Sequence, residues 1–334
     1  MTAKSSMVEK SFARAMVDAL AFTLRSEPNS IVIGRGLTGH GSEMDAEQSL
    51  HDEFGDRIID PPTSESLVVA VGTGAATAGF KVFVHLGTAS FAFEAVNQIV
   101  NEAANVHYMS GGQLTAPVVF QMYHGIRGGG GPQHSHSPQA MYANCAGLHV
   151  LLPSSPADVQ GLLRTAMKGN NPAILMNHSR LLPMRGPVPE DDFEIPFGTA
   201  DIKRAGRDVT VVATSHMVNE ALTAAEALAA DGIDIEIVDP RTAIPLDRER
   251  ICASVRKTGR LVVADEANLT CSIASEIAAS VAELAFDALN APILRVARPD
   301  VPIPYSPPLE KYLTPNAEKI AAAVKAVMGK SARS

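Results

Sequence analysis

A chain of 334 residues is longer than one ordinary hydrophobic core organises, and it predicts about two domains. Its composition, 46% hydrophobic and 19% charged with no Trp, is that of a soluble globular protein. The net charge of −8, without a block of like charge, lacks the basic face that nucleic acid binding requires.

The three cysteines, Cys145, Cys252 and Cys271, are odd in number and far apart, which predicts free thiols in a reducing compartment. The start, MTAKSSMVEK, has no apolar core of signal-peptide type. The longest apolar region, 66–86, is interrupted by Gly72, Gly74, Gly79 and Lys81, so it does not read as a membrane span. A cytoplasmic protein is the expectation.

Residues 8–24 place Phe12, Met16, Ala19, Leu20 and Leu24 at helical spacing. Ile31-Val32-Ile33 reads as a buried strand closed by Gly34, and Arg57-Ile58-Ile59 as a second strand running into Pro61-Pro62. Thr63 or Ser64 caps a helix of small residues up to Gly79. Residues 81–85 are the next strand, 91–105 the next helix, and 118–123 a strand. That strand spills into a loop, 124–137, with five glycines among its fourteen residues, read as flexible. A strand at 149–152, a helix opened by Ser154-Ser155-Pro156 and a strand at 173–176 follow.

Between 181 and 207 four prolines and the acidic run Glu190-Asp191-Asp192 read as a linker. Alternation then resumes: strands at 209–213, 233–238, 261–264 and 293–296, helices at 218–230, 246–255, 273–285 and 317–328. Strands alternating with helices of this length predict an α/β fold of two doubly wound domains, the second smaller.

Glu65 stands in the first turn of the small-residue helix. Any acid is favoured there by the helix dipole, yet a face so poor in bulk lets something large approach closely. His134 and His136 form an H-x-H pair on the glycine loop, with Cys145 the one soft ligand close in sequence, too sparse a set for a metal centre. A histidine after a parallel strand suits proton transfer or oxyanion stabilisation, since open α/β sheets hold ligands at strand carboxyl ends. Gly128–131 lacks the Lys-Ser/Thr of a phosphate loop. Ser135 and Ser137 lack the G-x-S-x-G setting of a nucleophile. Gly34-Arg35-Gly36 begins a dinucleotide fingerprint and then fails. Glu65 and His134 together read as half of a cofactor site whose other half lies on a different polypeptide.

Eight segments occur in a telling order: DPPTSE (60–65), NEAANVHYMSGGQ (101–113), QHSHS (133–137), PSSPADVQGLL (153–163), GNNPAIL (169–175), GRDVTVVATSHMV (206–218), DPRTAIPLD (239–247) and SVRKTGRLVVADEA (254–267). The set, spanning nearly the whole chain, resembles the beta subunit of the thiamine-diphosphate-dependent decarboxylating component of 2-oxo acid dehydrogenase complexes. Pyruvate, branched-chain and acetoin dehydrogenases share this subunit, which belongs to the transketolase-like superfamily. The resemblance implies a transketolase-like pyrimidine-binding domain over 1–185, a linker over 186–206 and a transketolase C-terminal domain over 207–330.

By the same resemblance, Glu65 hydrogen-bonds the aminopyrimidine of thiamine diphosphate and promotes its imino tautomer, Phe91 lies against that ring, and His134 assists steps at the reacting carbon. A structural potassium site is implied at Val118, Ala166, Met167, Gly169 and Asn171, with Gly169 standing where the family often has Asp. The family holds the cofactor's diphosphate through magnesium with a GDG motif, absent from this sequence and carried by an alpha subunit. An α2β2 heterotetramer, inactive as the beta chain alone, is therefore implied, with a lipoyl-bearing acyltransferase core as a further partner. Three residues depart from the family pattern: Arg35 follows the first strand in place of Glu, His85 replaces a frequent Glu, and Gln121 a common Arg. They point away from an ordinary pyruvate dehydrogenase. Two other readings stay open, a split transketolase-like subunit that transfers a ketol group and a non-catalytic scaffold or regulatory subunit.

Overall fold

The computed structural model describes residues 6–34 and 50–329; Arg35 and Gly36, singled out above, lie outside them. The chain forms two compact units. The first takes the residues up to His124 and then Met141–Phe197; the second takes Gly125–Ala140 and the residues from Gly198 onward.

The first unit contains strands β1 (Met7–Ser11), β2 (Ser30–Gly34), β3 (Ile58–Ile59), β4 (Lys81–Thr88), β5 (Val118–His124), β6 (His149–Leu151), β7 (Ala173–His178) and β8 (Arg185–Pro189). Six of them run in the order β6-β7-β5-β4-β2-β3, every pair parallel. Every residue of β5 and of β7 is buried. Helices therefore cover both faces, which is why these strands read as unbroken apolar runs.

On one face, the helices Phe12–Ser26 and Pro156–Lys168 share a core: Phe12, Met16 and Leu20 meet Val159, Leu162 and Leu163 over Phe83 and Leu175. Ser11 opens the first helix by accepting from Arg14 N–H at 3.0 Å, and Ser155 opens the other by accepting from Asp158 N–H at 3.1 Å. Such caps are worth about 0.5–2 kcal/mol each. On the other face lies the helix Glu65–Thr77, held so close that a Cβ added at Gly72 would come within 2.5 Å of Val84 Cγ2.

The second unit contains β9 (Asp201–Arg204), β10 (Val209–Ala213), β11 (Ile235–Asp239), the short β12 (Thr242–Ile244), β13 (Leu261–Asn268) and β14 (Leu294–Arg298). Its sheet runs β14-β13-β10-β11-β9, parallel except for β9. Helices Met217–Ala229 and Ala317–Gly329 bury Val218, Ala221, Val324 and Val327 against Val209, Val211 and Ala213 of β10. On the opposite face Thr210 Oγ1 lies 2.7 Å from Thr258 Oγ1 of the helix Arg248–Thr258. Both units are thus doubly wound.

The structure corrects three expectations. The segment read as the start of a helix at residue 8 is β1, which pairs antiparallel with β8 in a separate two-stranded sheet, from Met7↔Pro189 to Ser11↔Arg185. Its residues alternate between more and less exposed, and the prolines of β8 confine that pairing to a ribbon. The stretch read as structureless between 181 and 207 therefore holds β8 and also β9. The single helix expected over 91–105 is a 3-10 turn (Phe91–Ala95), a π-helical segment (Gln98–Ala103) and a short α turn (Val106–Met109). Asn105 competes there with the helical ladder, its Nδ2 donating to the Val100 carbonyl at 2.9 Å. The three cysteines are free, as expected. No helix among the described residues is long and apolar enough to cross a membrane.

Gly72→Val should therefore lower the stability of the chain by about 2–3 kcal/mol through overpacking, with Val84→Ala in the same chain recovering at least half. Urea denaturation of the two variants measures this, and an unperturbed Gly72→Val midpoint would contradict the close helix–strand approach.

Candidate active site

In an all-parallel sheet every connection that leaves a strand's carboxyl end emerges on one edge, which collects the chemistry of such folds. Glu65 and Phe91 both follow strands on this edge, after β3 and β4. Glu65 is the first residue of its helix, half-buried, behind Ser64, whose extended backbone (φ −165°, ψ 100°) makes no side-chain cap bond. An acid is a favoured residue type in the first turn of a helix. Ser66 donates its hydroxyl to the Glu94 carbonyl at 2.6 Å, tying the start of the helix to the 3-10 turn that carries Phe91. Carboxylate and aromatic ring thus sit on two elements that are directly bonded to each other. Along the helix, Leu67, Ala70, Val71 and Gly74 form an exposed stripe, and a Cβ at Gly74 would meet nothing within 4 Å.

His85 and Gln121, which the sequence marks as separate departures, are partners across β4 and β5. Gln121 Oε1 accepts from His85 Nδ1, which requires the ring proton on that nitrogen. The edge of the Tyr123 ring completes the contact at 5.4 Å between centroids. Gln121 is fully buried and its Nε2 has no hydrogen-bond partner among the described residues.

Sequence reasoning missed a second histidine pair. His124 and His178 end β5 and β7 in matching register, both buried, with ring centroids 5.1 Å apart in an edge-on arrangement. His178 Nδ1 accepts from Arg180 N–H at 3.2 Å. Only the strand register places these two residues side by side.

His134 ends a 3-10 turn, Pro132–His134, within the loop that belongs to the second unit, and it is half-buried. Gly125 N–H donates to the His136 carbonyl at 3.2 Å and closes the loop. Beside it, Pro132 and His136 with Asn268, Arg298, Asp300 and Ile303 line a cleft of about 370 Å³. Burial first, then the Arg298 guanidinium, hold the His136 pKa below the usual histidine range.

The candidate potassium residues gather at one end of the first unit's sheet and helix layer. Val118 opens β5, Ala166 and Met167 belong to the last turn of the helix Pro156–Lys168, and Gly169 caps it. A cation already serves that end. Lys81 Nζ donates to the carbonyls of Lys168 at 2.8 Å and Gly169 at 2.7 Å, satisfying carbonyls that a helix C-terminus leaves open. Burial lowers the Lys81 pKa, against the opposing pull of Glu27.

The chain was compared with known proteins. The family model for the transketolase pyrimidine binding domain matches residues 9–185, and that for the transketolase C-terminal domain matches residues 198–320. The pyruvate dehydrogenase E1 component subunit beta of Rhizobium meliloti is 40% identical over 97% of this chain and 71% of its own length. The beta subunit of acetoin:2,6-dichlorophenolindophenol oxidoreductase of Cupriavidus necator is also 40% identical, over 94% of this chain and 96% of its own. The 2-oxoisovalerate dehydrogenase subunit beta of Bacillus subtilis is 38% identical over 92% and 97%. A split-gene transketolase, solved as an inactive beta4 tetramer, shares the fold with a TM-score of 0.79 at 23% identity, over 96% of this chain and 98% of its own. The chain accordingly belongs to the transketolase-like superfamily, in the family of the beta subunits of 2-oxo acid and acetoin dehydrogenases.

Proposed function

We propose that this chain is the beta subunit of a thiamine-diphosphate-dependent 2-oxo acid or acetoin dehydrogenase, and that it holds the aminopyrimidine half of the cofactor. The observation that carries the reading is Glu65, an acid at a helix start on the carboxyl edge of a parallel sheet, bonded through Ser66–Glu94 to the turn that bears Phe91. This donor set fits half of thiamine diphosphate: one carboxylate to accept from a protonated ring nitrogen and one aromatic ring. It lacks a GDG motif for the diphosphate and its magnesium. An alpha subunit with that motif, in an α2β2 heterotetramer, completes the proposal, and the acyl-transferring activity requires it.

When bound, thiamine diphosphate supplies an electron sink for breaking the bond next to a 2-oxo group. In this reading the Glu65 carboxylate selects the ring tautomer, Phe91 sets the ring's plane, and His134 moves a proton near the reacting carbon, a role worth about 10²–10⁴ in rate. The His85–Gln121 pair sets an imidazole and an amide where the family resemblance expects an acid and an arginine, which supports a substrate other than that of an ordinary pyruvate dehydrogenase. The relatives at 38–40% identity favour the dehydrogenase over ketol transfer, and a lipoyl-bearing acyltransferase then receives the acyl group. Free cysteines agree with the cytoplasmic placement.

Potassium at Val118, Ala166, Met167, Gly169 and Asn171 belongs to the same reading, in competition with Lys81 for the Gly169 carbonyl. Lys81→Met should then make stability respond to potassium: Tm in potassium chloride exceeds that in choline chloride by about 2–4 °C, while the unaltered chain shows no difference. An equal response in both chains would rule out the competition. Glu65→Ala, assembled with the GDG-bearing subunit, should lose activity by at least about 100-fold while complex size in gel filtration stays the same. Near-normal turnover with a 2-oxo acid and an artificial oxidant would refute the cofactor role, and ketose products in place of acyl products would favour ketol transfer.

A further inference from the structure

We propose that three buried carboxylates of the second unit, Glu310, Glu266 and Asp265, clamp the Gly125–Ala140 loop through its amide groups and thereby position His134. They are positioning residues, and the proposal rests on the reading of His134 given above. Glu310, 4% exposed, takes two successive backbone amides, one on each oxygen: Gly128 N–H to Oε1 at 2.9 Å and Gly129 N–H to Oε2 at 2.7 Å. Glu266, 3% exposed, accepts from Ile126 N–H at 2.6 Å. Asp265, fully buried, accepts on Oδ1 from Gln139 Nε2 and from Thr214 Oγ1, both at 2.8 Å. Asp265 and Glu266 are neighbours on β13, so one strand grips the loop near both of its ends.

A fifth loop residue adds a fixed backbone conformation. Gly131 has φ +62°, a left-handed conformation that favours glycine, and its backbone lies against the ring of the exposed Tyr305. Anchors therefore fall at 126, 128, 129, 131 and 139, and His134 lies between the last two. A carboxylate with one loop amide on each oxygen, as Glu310 has, holds two points of the backbone at once. The acids convert the most permissive backbone in the sequence, four consecutive glycines, into a defined one. A displacement of about 1 Å at a reacting group can cost about 100-fold in rate, which is why such a clamp bears on turnover as well as on folding.

The test compares Glu310→Gln, which can accept only one of the two amides at full strength, with Glu310→Ala and His134→Ala in the assembled complex. Amide hydrogen exchange over 125–137, measured on the chain without cofactor, should quicken at least about 10-fold in Glu310→Ala and less in Glu310→Gln. The turnover number kcat should fall by about 10–100-fold with KM within about threefold, and Glu310→Ala/His134→Ala should be no slower than His134→Ala alone, because the two act through one group. Unchanged exchange, or a normal kcat for Glu310→Ala beside an impaired His134→Ala, overturns the clamp. Full activity in His134→Ala instead overturns the reading on which it rests.

Discussion

A parallel sheet covered on both faces keeps substrate away from its length, so that a polar pair such as His85–Gln121 is buried within it. Every residue of β5 and β7 is buried, and the hydrogen-bonding needs of the strands are met within the sheet. Whatever reacts must sit where strands end and the ladder stops. Glu65, Phe91, His124 and His178 all stand at or just beyond strand ends, and each owes its place to the same constraint. The layers enforce it: the helices on one face share a single core with Phe83 and Leu175, and the helix on the other rests on Val84.

The second unit solves a different problem, that of giving shape to glycine. Glu266 and Glu310 act on backbone amides, and hydrogen bonds within the unit hold the acids in turn: Glu266 also offers its carbonyl to Arg298 Nε at 3.0 Å, and Asp265 bridges the Gln139 side-chain amide and the Thr214 hydroxyl. Burial raises the Asp265 pKa, countered by those two donors, so its acceptor role is held against the cost of desolvation. Acids that usually suggest solvent or metals here serve as internal fasteners.

Much of the frame was legible because its signals are local. Ile31-Val32-Ile33, the capped Ser155-Pro156 start and the buried run of 209–213 each announce themselves within a few residues, and the structure keeps all three. The helix start at Glu65 was legible from the small-residue run that follows it, and its connection to the turn of Phe91 through Ser66 and Glu94 was not. Features that depend on distant partners stayed hidden. The β1–β8 ribbon joins residues 174 to 182 positions apart, from Ser11 with Arg185 to Met7 with Pro189, and proline-rich β8 imitates a linker. Glu266 and Glu310 meet their amides 140 and 182 positions away, and a bond to a backbone N–H leaves no residue-type signature at the receiving end. His85 and Gln121 stand apart in the sequence, and only the β4–β5 register makes them partners.

The path of the chain between its units carries a consequence for how the protein can be taken apart or assembled. The polypeptide leaves the first unit after His124, returns at Met141 and leaves again after Phe197. A ribosome therefore releases the sixteen residues of Gly125–Ala140 long before Asp265, Glu266 and Glu310 exist to receive them. A fragment cut near residue 198 would carry the histidine without its fasteners. In evolutionary terms the two units are not exchangeable modules: replacing the carboxyl-terminal unit by one from a relative would keep the loop and change the surface against which it was shaped.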